Sequence, residues 1–206
     1  MNTDKTSKII IISSPSGAGK TTLCKMLIKK MKNISLSISY TSRNQRLNEI
    51  NGKDYFFVNK SKFIDLKKKD FFIETSINFG NHYGSPINNI RKNNKNILFD
   101  IDWKGARKIR KKLNANNIID FFILPPSVKE LKNRLIKRGR DNPKDINLRL
   151  SYALKEISHY DEYSYVLINQ NIHQTVEDLI HIIKYHLILE KNQLLTNSKL
   201  KSLINF

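Results

Sequence analysis

Residues 8–23 read KIIIISSPSGAGKTTL. Ile9 to Ile12 form a short apolar, β-branched run, as expected of a strand buried on both faces of a parallel sheet. A small-residue turn follows, and beyond it Leu23, Met26, Leu27 and Met31 return at helical spacing. Strand, turn and helix in that order is the context required by the phosphate-loop pattern, which asks for Gly, four residues, then Gly-Lys and Ser or Thr. Ser14 stands at the first glycine position, while Gly17 and Gly19 keep the freedom for close backbone approach. The N–H groups of such a turn point inward at the positive end of a helix. Ser14, Pro15, Ser16, Gly17, Ala18, Gly19, Lys20 and Thr21 are therefore the candidates for holding a polyphosphate. Lys20 would reach the terminal phosphates and the Thr21 hydroxyl a Mg²⁺ ion. The loop implies a nucleotide and leaves the reaction open.

The 206 residues suit one α/β domain with small insertions. Lys plus Arg number 37 against 18 Asp plus Glu, a net charge of +19, which by itself suggests a nucleic-acid binder. The lysines, however, are spread through every segment, and no recognised nucleic-acid module accompanies them. Lys67 to Lys69 and Lys108 to Lys112 fall on predicted helix faces and read as solvated surface, as does Arg110. No specific nucleic-acid partner is expected, although a basic surface draws in anionic nucleotides. The single Cys24 excludes an internal disulfide and reads as a packed apolar residue. No leader and no apolar stretch near the roughly 20 residues of a membrane helix is seen, so the cytoplasm is the expected compartment and no membrane partner is expected.

Apolar runs at 9–12, 97–101, 118–124 and 165–168 read as buried strands with helical patterns between them. That alternation implies a parallel sheet covered by helices, with ligands at the strand C-terminal ends. Two stretches interrupt it. Residues 39–90 hold short strands, polar turns and aromatics, whereas 126–158 are helical and rich in arginine. Ser127 with Glu130 forms a capping box, and Asn142 with Pro143 marks a second helix start. A nucleotide loop with two insertions suggests two substrates, enclosed so that water cannot compete as acceptor.

In order along the chain come SSPSGAGKTTL, SYTSRNQR, NGKDYFFV, FIETS, FGNHYGS, ILFDIDWKGA, FFILPPS, LKNRLIKRGR, NLRL and SHYDEYSYVLIN. This series resembles the guanylate kinases, from about residue 8 to about residue 190. The resemblance implies a phosphate-loop nucleoside-monophosphate-kinase fold of the α/β class. Its core would be residues 1–38, 91–125 and 159–206, with a GMP-binding insertion at 39–90 and a lid at 126–158. It implies transfer of the terminal phosphoryl of MgATP to GMP, giving ADP and GDP, with dGMP also accepted. Homodimers occur among relatives, so the resemblance allows one here.

Carried residue by residue, the resemblance gives Arg43 and Arg46 as the clamp on the GMP phosphate, with Tyr55 and Tyr83 donating hydroxyls. Planar guanidinium forks suit a dianion held away from water. Ser39, Glu74 and Ser85 resemble the guanine site. Guanine presents N1–H and a 2-amino group side by side, and one ionised carboxylate accepts from both; adenine offers neither there. Asp100 resembles a GMP-binding residue, and Asp100 with Asp102 lies near the Mg²⁺ and its waters. Strand alternation would aim both carboxylates to one side. Arg134, Arg138 and Arg149 resemble lid arginines that meet the transferring phosphoryl, which makes them catalytic candidates beside Lys20. Asn169 lies where the family meets the ATP adenine.

The chain departs from the family pattern at Gln45, where proline is usual, and at Asn48, where glycine is usual; Asn tolerates the same left-handed turn. His82 replaces a tyrosine and reads as a surface partner, and Gln170-Asn171 replaces an acidic pair. Three other readings compete: a non-catalytic phosphoprotein-binding module on the same fold, a related small-phosphate kinase, and a nucleic-acid binder. Lys20, Thr21, Arg43, Arg46, Glu74 and the lid arginines argue against the first. Glu74 and the GNHYGS segment argue against the second.

Overall fold

The computed structural model describes residues 7–91, 95–137 and 143–204. Strand β1 (Ile9–Ser13) leads through the turn into helix α1 (Lys20–Lys30), then to the short strand β2 (Ile34–Leu36). A second set of elements follows: β3 (Tyr40–Thr41), β4 (Phe56–Phe57), α2 (Lys60–Lys68), β5 (Phe72–Asn78), β6 (Asn81–Pro86) and the single turn α3 (Asn88–Arg91). The chain then returns through β7 (Asn96–Asp100), α4 (Trp103–Lys112) and β8 (Ile118–Leu124). It ends with α5 (Val128–Lys137), α6 (Pro143–Ile157), β9 (Tyr165–Ile168) and α7 (Ile172–Ile204).

Five strands form a parallel sheet in the order β2-β7-β1-β8-β9. The pleat divides the four isoleucines of β1 between two cores. Ile10 and Ile12 pack with Leu23 and Leu27 of α1 and with Leu179 and Ile183 of α7. Ile9 and Ile11 face Ala106 and Ile109 of α4, with Ile73 of β5 and Tyr163. Fully covering both faces explains why the strand carries no polar alternation. Because β7 and β8 flank β1, the turn after β1 emerges at the C-terminal edge, where strand order switches and a ligand crevice opens.

A second sheet, β4-β3-β6-β5, stands beside that edge. Its β5-β6 hairpin pairs Glu74 with Ser85 and Ser76 with Tyr83, so these side chains share one face. Asn48, at φ 69°, adopts the left-handed conformation anticipated from its sequence position. Helix α5 starts as expected, with the Glu130 N–H on Ser127 Oγ at 3.1 Å. Asn142 falls outside the described residues, and α6 begins at Pro143. Asn171 caps α7 by accepting the N–H of His173 at 2.9 Å.

One surface reading needs correction. Arg110 is an internal tie: it bonds Asp120 at 2.7 Å and Glu162 at 3.2 Å, and lies over the Tyr163 ring. Lys108 and Lys112 are exposed, as expected, while their amines donate to the carbonyls of Thr75 and Ile73 and fasten α4 to β5. Among the described residues no helix is long and apolar enough to cross a membrane.

Candidate active site

The loop after β1 is shaped by two left-handed glycines, Gly17 at φ 102° and Gly19 at φ 98°. A Cβ at Gly19 would stand 2.8 Å from the Asn169 amide nitrogen, so that approach requires glycine. Ser14 is not among the residues with positive φ. Its place in the loop therefore needs no glycine, and its hydroxyl donates to the Pro15 carbonyl at 3.1 Å.

Lys20 lies at the start of α1, with Nζ 2.9 Å from Asp100 and donating to the Ile101 carbonyl at 2.8 Å. Burial by itself would lower its pKa, but the Asp100 carboxylate outweighs burial and holds the ammonium above its usual range. Thr21 Oγ1 donates to the other Asp100 oxygen at 3.0 Å. Asp100 thus gathers the loop's cation and its hydroxyl at the end of β7. Asp102 is placed differently from the strand-alternation expectation. The strand ends at Asp100, and Asp102 caps α4, accepting the Gly105 N–H at 2.7 Å and a bond from Asn78. Both carboxylates line the cleft, but a helix cap and not the pleat aims the second one.

On the facing sheet, Glu74 is only 3% exposed. The Ser85 hydroxyl donates to its Oε1 at 2.6 Å and meets Ser39 Oγ at 3.1 Å, a buried chain across β5, β6 and the approach to β3. Burial pushes the Glu74 carboxyl up to about 7; the Ser85 bond opposes this and the Asp102 charge adds to it.

Arg43 makes a two-point pair with Glu49, at 2.8 and 3.0 Å, and lies over the rings of Tyr55 and Phe57. Burial followed by the Arg43 charge lowers the pKa of Arg46, which lines the same end of the cleft as Arg43. Tyr83 lies beside this pair, edge-on to Tyr55 with ring centres 6.0 Å apart.

One cleft of about 400 Å³ joins these parts. Ser14, Pro15, Ser16, Gly17, Gly19, Lys20 and Thr21 line one end, and Ser39, Arg43, Arg46, Tyr55, Glu74 and Tyr83 the other. Asp100, Asp102 and Arg149 lie between them. Ala18 and Ser85 are fully buried behind its walls. Arg134 and Asn169 line a separate cavity of about 430 Å³ beside Gly17 and Gly19. There Arg134 donates to the Asn169 carbonyl at 3.1 Å and pairs with Glu130 at 2.9 Å. The fold therefore separates Arg134 from Arg149 on the two sides of the loop; Arg138 lies outside the described residues.

The family profile described as guanylate kinase matches residues 6–186. The chain belongs to the guanylate kinase family. It is 45% identical to a guanylate kinase of Rickettsia prowazekii (strain Madrid E) over 178 residues, 85% of this chain and 89% of that one. It is 41% identical to a guanylate kinase of Clostridium perfringens (strain 13 / Type A) over 191 residues, covering 91% of this chain and 86% of the relative. The crystal structure of guanylate kinase from Anaplasma phagocytophilum superposes with a TM-score of 0.74 at 33% identity, covering 88% of this chain and 87% of that one.

Within this guanylate kinase fold, sequence reading had passed over Glu49, Asn78, Gly105 and Glu156. Glu49 was visible beside Asn48 in the pattern, but its bond to Arg43 depends on a loop that curls back. Asn78 offered a weaker signal: it lies four residues after Glu74, on the same face of the strand.

Proposed function

We infer that the protein transfers the terminal phosphoryl group of MgATP to GMP, giving ADP and GDP. The observation that carries this reading is the single cleft with a phosphate loop at one end and an acceptor-only carboxylate beside two arginines at the other. The phosphate loop takes the donor, with Lys20 at its terminal phosphates and the adenine directed toward the cavity at Asn169. The acceptor nucleotide places its guanine on Glu74, with Ser39 and Ser85 behind it, and its phosphate on Arg43, Arg46, Tyr55 and Tyr83. Recognition of guanine leaves Glu74 ionised, because N1–H and the 2-amino group both donate. Adenine would leave that buried carboxylate unpaired, a penalty of roughly 10⁴-fold or more in sites of this kind.

Thr21 Oγ1 and Asp100 Oδ2, 3.0 Å apart, are two oxygens suited to a Mg²⁺ that takes few protein ligands and several phosphate or water oxygens. The ion would supply charge neutralisation on the donor phosphates. Lys20 then exchanges the Asp100 carboxylate for phosphate oxygen, and Arg149 neutralises charge on the phosphoryl in flight. We assign Arg134 to fastening the loop beside the donor base, and we place Arg138 with the lid. In this reading residues 39–90 hold GMP, 126–158 close over the cleft to exclude water, and the remainder forms the core. The reaction belongs in the cytoplasm, where both nucleotides occur.

The test is formation of ADP and a nucleoside diphosphate with GMP, dGMP, AMP, UMP and dTMP as acceptors. Activity confined to the two guanine nucleotides is expected. Equal rates with AMP would overturn the guanine assignment.

A further inference from the structure

One carboxylate in the cleft has no part in the reaction as described. Glu156 lies in the last turn of α6, half-buried, and its Oε2 accepts the backbone N–H of Ser16 at 3.0 Å. Ser16 belongs to the loop whose N–H groups are otherwise offered to phosphate. A negative side chain near a polyphosphate binding site costs Coulomb repulsion, which another role must offset.

The same helix carries Arg149, seven residues before Glu156. That separation is about two helical turns, roughly 10 Å, and returns a side chain to nearly the same face. The contacts of α6 trace this stripe. The Arg149 guanidinium lies 5.6 Å over the Phe79 ring at the tip of the β5-β6 hairpin. Tyr152 meets Phe79 edge-on at 5.1 Å, and Glu156 meets Ser16. Positions 149, 152 and 156 follow the i, i+3, i+7 spacing of one helical face. The Phe79 contacts are ring contacts with broad geometry, whereas the Glu156 bond is directional and ends on the loop itself. Burial raises the carboxyl pKa of Glu156, while the Ser16 N–H and Lys20 favour its ionised form.

We propose that Glu156 is a positioning residue that pins the C-terminal end of α6 to the phosphate loop and so sets where Arg149 enters the cleft. This rests on the reading of Arg149 as the group that meets the transferring phosphoryl. A group neutralising transition-state charge must be held close to its productive position, and a displacement near 1 Å costs up to about 10²-fold. Fixing the helix at its far end removes freedom that Arg149 would otherwise lose during the reaction. The bond also orients the Ser16 peptide before any nucleotide arrives.

The experiment compares Glu156→Ala, Glu156→Gln, Glu156→Asp, Arg149→Ala and the double variant Glu156→Ala/Arg149→Ala. It reads kcat, KM for each nucleotide and melting temperature. Glu156→Ala is expected to lower kcat about 10- to 50-fold with KM for GMP held within about twofold. Glu156→Gln keeps an oxygen that accepts the Ser16 N–H and should recover most of the rate. Glu156→Asp keeps the charge but shortens the reach, and should behave like Ala; it also serves if the Ala variant folds poorly. In the Arg149→Ala background, removing Glu156 should cost less than about twofold, since nothing remains to be positioned. Multiplicative losses in the double variant, wild-type kcat in Glu156→Ala, or no recovery in Glu156→Gln would each overturn the proposal. An Arg149→Ala variant with undiminished kcat would instead sink the parent reading of Arg149, and its own rate reveals which has failed.

Discussion

Glu74 of β5 and Gly105 of α4 are fitted so closely that a Cβ at position 105 would stand 2.8 Å from Glu74 Oε2. The bare backbone of the first turn of α4 therefore backs the carboxylate, with the positive end of the helix dipole beside it. The pair makes the guanine pocket a product of two elements from different sheets' surroundings, not of β5 alone.

Gly105→Ala separates this role from helix stability. In an exposed helix the change would stabilise by about 1 kcal/mol. Here the methyl must displace the carboxylate, so KM for GMP should rise at least about tenfold while KM for ATP stays near wild type. Steady-state kinetics with each nucleotide varied checks this, and an unchanged KM for GMP would show that Glu74 relaxes freely.

The raised pKa of Glu74, about 7, predicts pH dependence with a definite sign. Below that value the free protein holds the carboxyl protonated, so GMP binding should strengthen as pH rises toward 7 and then level. The phosphate of GMP titrates near 6 as well, so Glu74→Gln supplies the reference: weaker binding, and loss of the Glu74 portion of the profile. For stability, the folded protein keeps a proton that the unfolded chain has released between the ordinary carboxyl value of 4.5 and about 7. The contribution is present at low pH and lost as pH rises through about 7, up to ~3 kcal/mol. Denaturant titrations at pH 5 and about 8 should show that loss flattened in Glu74→Gln.

Asp100 holds both Lys20 and Thr21, which makes its removal informative. Lys20→Ala should fold and lose at least about 10³-fold in kcat, because a phosphoryl-transfer site works almost wholly by positioning and charge. Asp100→Asn should lower kcat by a similar order and raise the Mg²⁺ requirement, read from initial rates across a magnesium series. Near-normal turnover in Lys20→Ala would refute its place at the donor phosphates.

Glu49 neutralises Arg43 at two points, so on charge alone its removal would free a cation for GMP. The geometry argues the reverse: the pair, together with the Arg46 N–H on Glu49 at 2.8 Å, holds the loop that presents both arginines. Glu49→Ala should raise KM for GMP by about tenfold or more, with little change for ATP. A lowered KM would identify Glu49 as a competitor for the phosphate.

Strands β1, β7, β8 and β9 were legible because each is a largely apolar run, whereas β5 and β6, which read FIETSIN and NHYGSP, are not. The three-residue β2 was not legible, since so short a segment carries no period. Asn48 was legible because left-handed backbone demands particular residue types wherever it occurs. Arg110 was misread because its partners, Asp120 and Glu162, lie 10 and 52 residues away. Asp102 reaches the shared cleft as expected, but it does so by capping α4, since the strand ends before it.

The sequence by itself determined the local chemistry: a loop whose glycines allow the tight turn, a carboxyl at Glu74, and arginines at 43, 46, 134 and 149. These follow from backbone sterics and side-chain charge, which act over a few residues. Only the tertiary structure decided which groups meet. It set β7 and β8 on either side of β1, brought Asp100 onto Lys20 and Gly105 behind Glu74, and parted Arg134 from Arg149. Such pairings arise when sheet order and helix packing bring distant segments together, and no local pattern encodes that order.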